Sequence, residues 1–279
     1  MKQKLWPALA LAPIVLALAG CAGMQTKIPS WGPDLAAVTP SNKVITFNHT
    51  TPGTIESSAK ITGLQTGENV VAIDYRPGDG KLYALGSSGR LYALNVATGA
   101  ASLKATLHAV AGDAFSALSG ASFGISFNPV DGLLTVVSDA GQNLRVNADT
   151  GEVTTRTAFD ASKASLIAAA YTTKPNGPFK TTLYLINSKG SEIDSSLSPN
   201  DGTFVTVGAV GSDIDRVGGL DIVGNESGGV AYAAMAAPDA KAPSKLYLIK
   251  LGAGAAKGQG TIGGGEKVRS LAIRPSLES

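Results

Sequence analysis

This chain is short of the residues on which most metal sites and thiol chemistry rely. Its 279 residues include one cysteine and two histidines, and aromatic side chains make up only 6%. A single cysteine cannot close an internal disulfide. His49 and His108 have no second His or Cys beside them, so zinc and copper lack a ligand set and no metal is expected. An excess of one charge is missing too, since 23 Lys and Arg stand against 21 Asp and Glu. That balance gives no electrostatic basis for nucleic acid as a partner. The apolar run near the start, Ala8 to Leu18, is too short to span a bilayer comfortably. Glycine is plentiful instead, at 34 residues. With short alternating apolar segments and no long amphipathic helical pattern, it points to many strands and tight turns.

The opening reads as an export signal. Lys2 and Lys4 precede the apolar run, which ends in Leu18-Ala19-Gly20-Cys21. Small residues leading into a cysteine resemble the lipobox of bacterial lipoproteins, where the cysteine is lipidated and becomes the mature N-terminus. Residues 1–20 are therefore expected to be a signal peptide, with Cys21 the lipidation site and the membrane a partner through that lipid. Ala22, not Asp, follows the cysteine. By resemblance to the usual sorting rule this favours the outer membrane, with the domain facing the periplasm. Loss of Lys2 and Lys4 brings the bases to 21, equal to the 21 acids, so the formal charge of +2 belongs to the leader. Residues 21–40, rich in small and turn-forming types, are expected to be a flexible tether, and residues 41–276 one domain.

That domain is organised around VVAIDYRPGDGKLYALGSSGRLYALNVATG, residues 70–99. Val71, Ile73 and Tyr75 alternate with smaller or polar neighbours, the period of a strand with one buried face. A turn around Pro77-Gly78 leads into Leu82-Tyr83-Ala84-Leu85, one around Ser88-Gly89 separates that from a second copy at residues 91–94, and spacers this short allow only antiparallel neighbours. Segments like the first strand recur so that Tyr75, Phe127, Tyr171, Ile222 and Ile273 are equivalent, at intervals of 52, 44, 51 and 51 residues. A period near 50 is that of a propeller blade. Ala72, Gly124, Ala168, Gly219 and Ser270 share one position, where small residues suit inner strands that crowd together. The fifth copy holds a first strand only, while Val44 to Phe47, Thr54 to Ser57 and Lys60 to Gly63 are strands without one. The expected architecture is all-β, a five-bladed β-propeller closed by pairing of N-terminal strands with the C-terminal strand. A sandwich or irregular barrel is the competing architecture.

The doubled LYAL, the Asn-x-x-Thr-Gly turns and ISFNPVDGLLTVVSDAGQNLRVNADTG resemble a family of exported bacterial proteins known as domain of unknown function 4394. The resemblance is best over residues 45–147. It implies a propeller-like repeat and no particular activity.

Chemistry on such a ring is expected where loops converge at the ends of the inner strands. Asp74, Arg76, Asn128, Asp221 and Arg274 stand there and form a candidate anion or sugar pocket. Asp and Arg beside turns also cap backbone groups or pair with one another. No catalytic residue and no cofactor is assigned. The expectation is a monomeric, non-catalytic binding or scaffolding module for an envelope protein or glycan. The alternative is a glycan-active hydrolase using Asp74 and Asp221, which would need the two carboxylates about 5 to 10 Å apart across a solvent-filled pocket. Asp213-Ile214-Asp215 and Ser138-Asp139 offer oxygen ligands for calcium, but such spacing usually marks a solvated turn.

Overall fold

The structure, a computed structural model, describes residues 34–173, 181–211, 214–215, 218–224, 229–239 and 241–275. Cys21, the leader and Asp213 lie outside them. The chain opens with β1 (Asp34–Val38), β2 (Lys43–Asn48) and β3 (Ile55–Lys60). A first blade follows from β4 (Val70–Tyr75), β5 (Leu82–Gly86), β6 (Arg90–Leu94) and β7 (Ala101–Thr106). The second holds β8 (His108–Ala109), β9 (Phe123–Phe127), β10 (Leu134–Ser138), β11 (Asn143–Val146) and β12 (Glu152–Thr155), with β8 lying parallel along the edge of β12. The third is β13 (Leu166–Tyr171), β14 (Leu183–Asn187), β15 (Glu192–Ser196) and β16 (Val205–Ala209), and the fourth β17 (Gly218–Val223), β18 (Val230–Met235), β19 (Lys245–Ile249) and β20 (Ala256–Thr261). The last strand, β21 (Ser270–Ile273), heads a sheet ordered β21-β1-β2-β3. Among the described residues there is no α-helix, so no helix is long and apolar enough to cross a membrane.

The five sheets form a five-bladed propeller. The inner strands β4, β9, β13, β17 and β21 touch one another in a closed cycle. Closure is by antiparallel pairing of the two ends, with Leu35 opposite Ile273 and Val38 opposite Ser270. The strand that makes this joint, β1, falls inside the stretch expected to be tether, and the segments expected as separate strands from Thr54 to Gly63 contain the single strand β3. Both differences have a physical reason. Leu35 to Val38 is buried on both faces, so it shows no alternation, whereas β3 is an edge strand whose residues alternate half-buried and exposed. Beyond it Thr62 leaves to bridge Ala100 in the next blade.

Side chains leave a strand perpendicular to its sheet, so an inner strand divides them between the seams on either side. Ala72 packs with Ile125 and Phe127 of the second blade, whereas Ile73 packs with Val38, Val44 and Ala272 of the closing blade. The core is accordingly five apolar clusters, one in each seam. The small residues at the shared inner position are a steric requirement. A Cβ on Gly124 would lie 2.5 Å from the backbone nitrogen of Ala169 and 2.6 Å from the carbonyl carbon of Ala168, and one on Gly219 would meet the backbone of Leu271.

The Asn-x-x-Thr-Gly turns join blades at their outer ends. Asn95 Oδ1 accepts the amides of Ala97 and Thr98 at 3.0 and 3.1 Å, and Asn147 Oδ1 those of Asp149 and Thr150 at 3.0 and 3.3 Å. Each turn ends in a glycine with φ of 72° or 85°, a region that costs other residues strain. Gly99 then sits against the carbonyl of Lys60, and Gly151 against that of Thr106, each in the outer strand of the preceding blade.

Candidate functional site

The inner strands expose one unpaired edge toward the axis, and buried backbone amides there need acceptors. Side chains from the neighbouring blade supply them in a repeated register. Asp74 Oδ2 accepts the amide of Phe127 at 2.7 Å, Ser126 Oγ that of Tyr171 at 3.0 Å, and Asp221 Oδ2 that of Ile273 at 2.6 Å. Ser270 Oγ accepts the amide of Ile73 at 3.0 Å and so joins the closing blade to the first. Asp221 Oδ1 also accepts the amide of Ile222 at 2.7 Å, and Asp74 bonds Ser126 and the amide of Tyr75 as well.

Asp74 and Asp221 are only 6% and 7% exposed. Burial pushes the Asp221 carboxyl up to about 7 against the pull of its two amide donors. Burial, then repulsion from Asp221, drives Asp74 well above the usual carboxylate range. Two acids brought close enough to repel thus hold the ring together through its backbone. Neither of them lines the groove described below.

The other candidates divide. Arg76 makes a bidentate ion pair with Asp149 of the second blade, at 2.7 and 2.8 Å. Its guanidinium carbon lies 5.9 and 5.8 Å from the ring centroids of Tyr83 and Phe127, and the hydrogen bonds it donates to Asp149, then to Tyr83, raise its pKa further. Asn128 Oδ1 accepts the amide of Val130 at 2.8 Å, and the same side chain also bonds Tyr171 in the next blade. Asp139 likewise accepts the amides of Ala121 and Ser122, at 2.8 and 3.2 Å, and Asp215 pairs with Lys267. Among the described residues no three His, Cys, Asp or Glu side chains gather where a metal ion would sit.

Of the five candidates, Arg274 lies on a groove. A groove of about 740 Å³ opens in the seam between the closing and first blades. Leu35, Thr46, Glu56 and Ser57 form one wall, Tyr75, Lys81, Leu82, Leu94, Asn95 and Ser102 the other, with Arg274 at the end of β21. Exposed Lys81, Arg274 and Glu56 stand over an apolar and aromatic floor, the mixed lining of a ligand groove. One of its walls exists only because β1 and β2 close the ring.

Two buried polar clusters escape a reading by blade register. Arg145 on β11, 6% exposed, pairs with Asp131 and donates to Thr135 Oγ1 at 2.5 Å and the Tyr171 hydroxyl at 3.2 Å, crossing the second seam. At the opposite end of the ring Glu68 accepts from the hydroxyls of Ser88 and Tyr92. Burial alone would raise its carboxyl, but the bonds from Ser88, Tyr92 and Gln65 hold it below the usual value. Tyr92 is pushed up to about 12, by burial first and by Glu68 second. The charged side chain in the buried strand NLRV is a local signal for the first cluster, whereas Glu68 lies in a loop before β4 and carries no such mark.

No curated protein is significantly similar to the chain. The fold is similar to that of a chain in the crystal structure of a nidogen/laminin complex, over 88% of this chain and 99% of the other, at 7% identity and a TM-score of 0.50. A structural genomics protein of unknown function from Bacteroides thetaiotaomicron VPI-5482 matches over 82% of this chain and 55% of its own length, at 14% identity and a TM-score of 0.47. These are likenesses of fold. In sequence, residues 43–272 match one family, a span that runs from the start of β2 almost to the end of β21. The chain belongs to the family described as domain of unknown function (DUF4394).

Proposed function

We propose that the propeller is a non-catalytic binding or scaffolding module of the cell envelope, held at the outer membrane by lipid on Cys21 and facing the periplasm, with the groove at the closing seam as its ligand site. The observation that carries this reading is the division of labour among the sequence candidates. Asp74 and Asp221 are buried and committed to backbone amides, Arg76 to Asp149 and Asn128 to its own turn and to Tyr171. Arg274 lies on a groove of 740 Å³ with Tyr75 and Lys81. Guanidinium, ammonium, amide and aromatic groups over an apolar floor suit a glycan or an extended protein segment.

Two experiments test the reading. The chain from residue 22 onward, immobilised, should capture an envelope glycan or protein, and the pair Lys81→Glu with Arg274→Glu should lose at least tenfold in affinity while its circular dichroism stays unchanged. Capture that is indifferent to both substitutions would remove the groove from consideration. Metabolic labelling with an alkynyl fatty acid should mark the full chain and not Cys21→Ala, and equal labelling of both would remove the anchor.

A further inference from the structure

A propeller leaves one open edge per blade on its outer rim, and proteins guard such edges with charge or cover because an uncharged edge invites another strand. Four of the five edges here are guarded. Strand β3 carries Glu56 and Lys60, β7 carries Lys104, β20 carries Lys257, and β12 is covered by β8. Strand β16 differs, because no charged residue occurs from Gly202 to Gly211 (GTFVTVGAVG). Bulges interrupt β3, β7, β16 and β20 alike, so they do not set β16 apart. The two most exposed large apolar side chains among the described residues are Leu197 at 78% and Val205 at 67%. Both belong to the β15–β16 hairpin.

We propose that β16 is a self-association edge, and that two copies of this chain pair through it as antiparallel strands about a two-fold axis. A second copy fits because this edge needs a partner that is uncharged, extended and apolar, and among the outer strands of the described residues another β16 offers that. The guarded edges would set a lysine against a partner backbone that carries no complementary acid. Such pairing is isologous and limits itself, since each β16 has one free edge and its mating leaves none. The proposal replaces the expectation of a monomer and does not depend on what the groove binds.

Sedimentation velocity on the chain from residue 22 onward reads the result. The wild type should show a concentration-dependent dimer, and Val205→Lys should remain monomeric at every concentration with unchanged circular dichroism. Leu103→Lys, which adds a lysine to the guarded edge of β7, should dimerise like wild type. Hydrogen exchange at residues 205–209 should slow as wild-type concentration rises, a readout that survives if Val205→Lys fails to fold. A wild type that is monomeric up to its solubility limit overturns the proposal. So do a dimer that Leu103→Lys breaks and Val205→Lys does not, growth into open-ended fibres, and exchange at 205–209 that ignores concentration.

Discussion

The buried acids at the inner register make the fold's stability fall as pH rises through the weakly acidic range. Asp221 has an ordinary value of 3.8 and is raised to about 7 in the fold. Between those values the folded chain keeps a proton that the unfolded chain has released, so raising the pH favours unfolding. The benefit of that retained proton is fully present below 3.8 and lost as pH climbs through 7. One pKa unit corresponds to about 1.4 kcal/mol. Titrating this one group therefore costs about 2 kcal/mol between roughly pH 5 and roughly pH 7. Asp74, raised by burial and by the Asp221 charge, and Asp194, raised by burial, act in the same direction. The groups with lowered values do not compete in that window. Glu266, held at about 2 chiefly by Lys43, and Glu68 contribute stability that is lost only when pH falls below the ordinary glutamate value. Urea denaturation midpoints measured across this range should decline with pH at a constant slope m. Asp221→Asn should flatten the decline. It should also destabilise at acid pH, because the amide sets an N–H₂ against one of the backbone N–H donors of Ile222 and Ile273. Midpoints that stay level or rise between those pH values would refute the account of the acids as buried amide acceptors.

Gly124→Ala should lower stability by about 3 kcal/mol or more, since its clash is with backbone that cannot swing aside, and thermal melting reads it directly. Arg76→Ala and Arg145→Ala should differ sharply. The first breaks a pair whose Asp149 side chain is 60% exposed and should cost at most about 1 kcal/mol after solvent screening. The second takes a buried guanidinium away from Thr135 and Tyr171, whose hydroxyls keep only their bonds to each other and to Asn128, while Asp131, 45% exposed, turns to solvent, and it should cost about 2 to 3 kcal/mol. Equal denaturation midpoints for the two would contradict the burial argument. Ending the chain at residue 267, which deletes β21, should abolish the single cooperative transition, whereas an unchanged melt would mean that the ring does not need its seam.

Much of this fold is legible from one dimension. The LYAL copies, their turns and the spacing of Tyr75, Phe127, Tyr171, Ile222 and Ile273 locate the blades, because alternation and turn chemistry are local properties. Leu35 to Val38 is not legible, since a strand buried on both faces has no alternation to find, and its partner Ile273 lies at the other end of the chain. The shared position of Asp74 and Asp221 can be read from the repeats. Its role cannot, because the period says which residues are equivalent and not whether their face meets solvent or the next blade. Arg145 is hidden for the same reason. In NLRV it passes for a solvent-facing member of an alternating strand, and Tyr171, which receives its hydrogen bond, belongs to another blade.

The joint between β1 and β21 also sets an order of events. Synthesis delivers Leu35 to Val38 early, but their partners from Ser270 to Ile273 emerge only at the far end of the chain. Until then β1 waits with one bare edge while four complete blades form behind it, and a growing chain in that state is open to wrong pairing. Folding of the whole ring should therefore be slow to commit and late to finish, with the seam as its final latch.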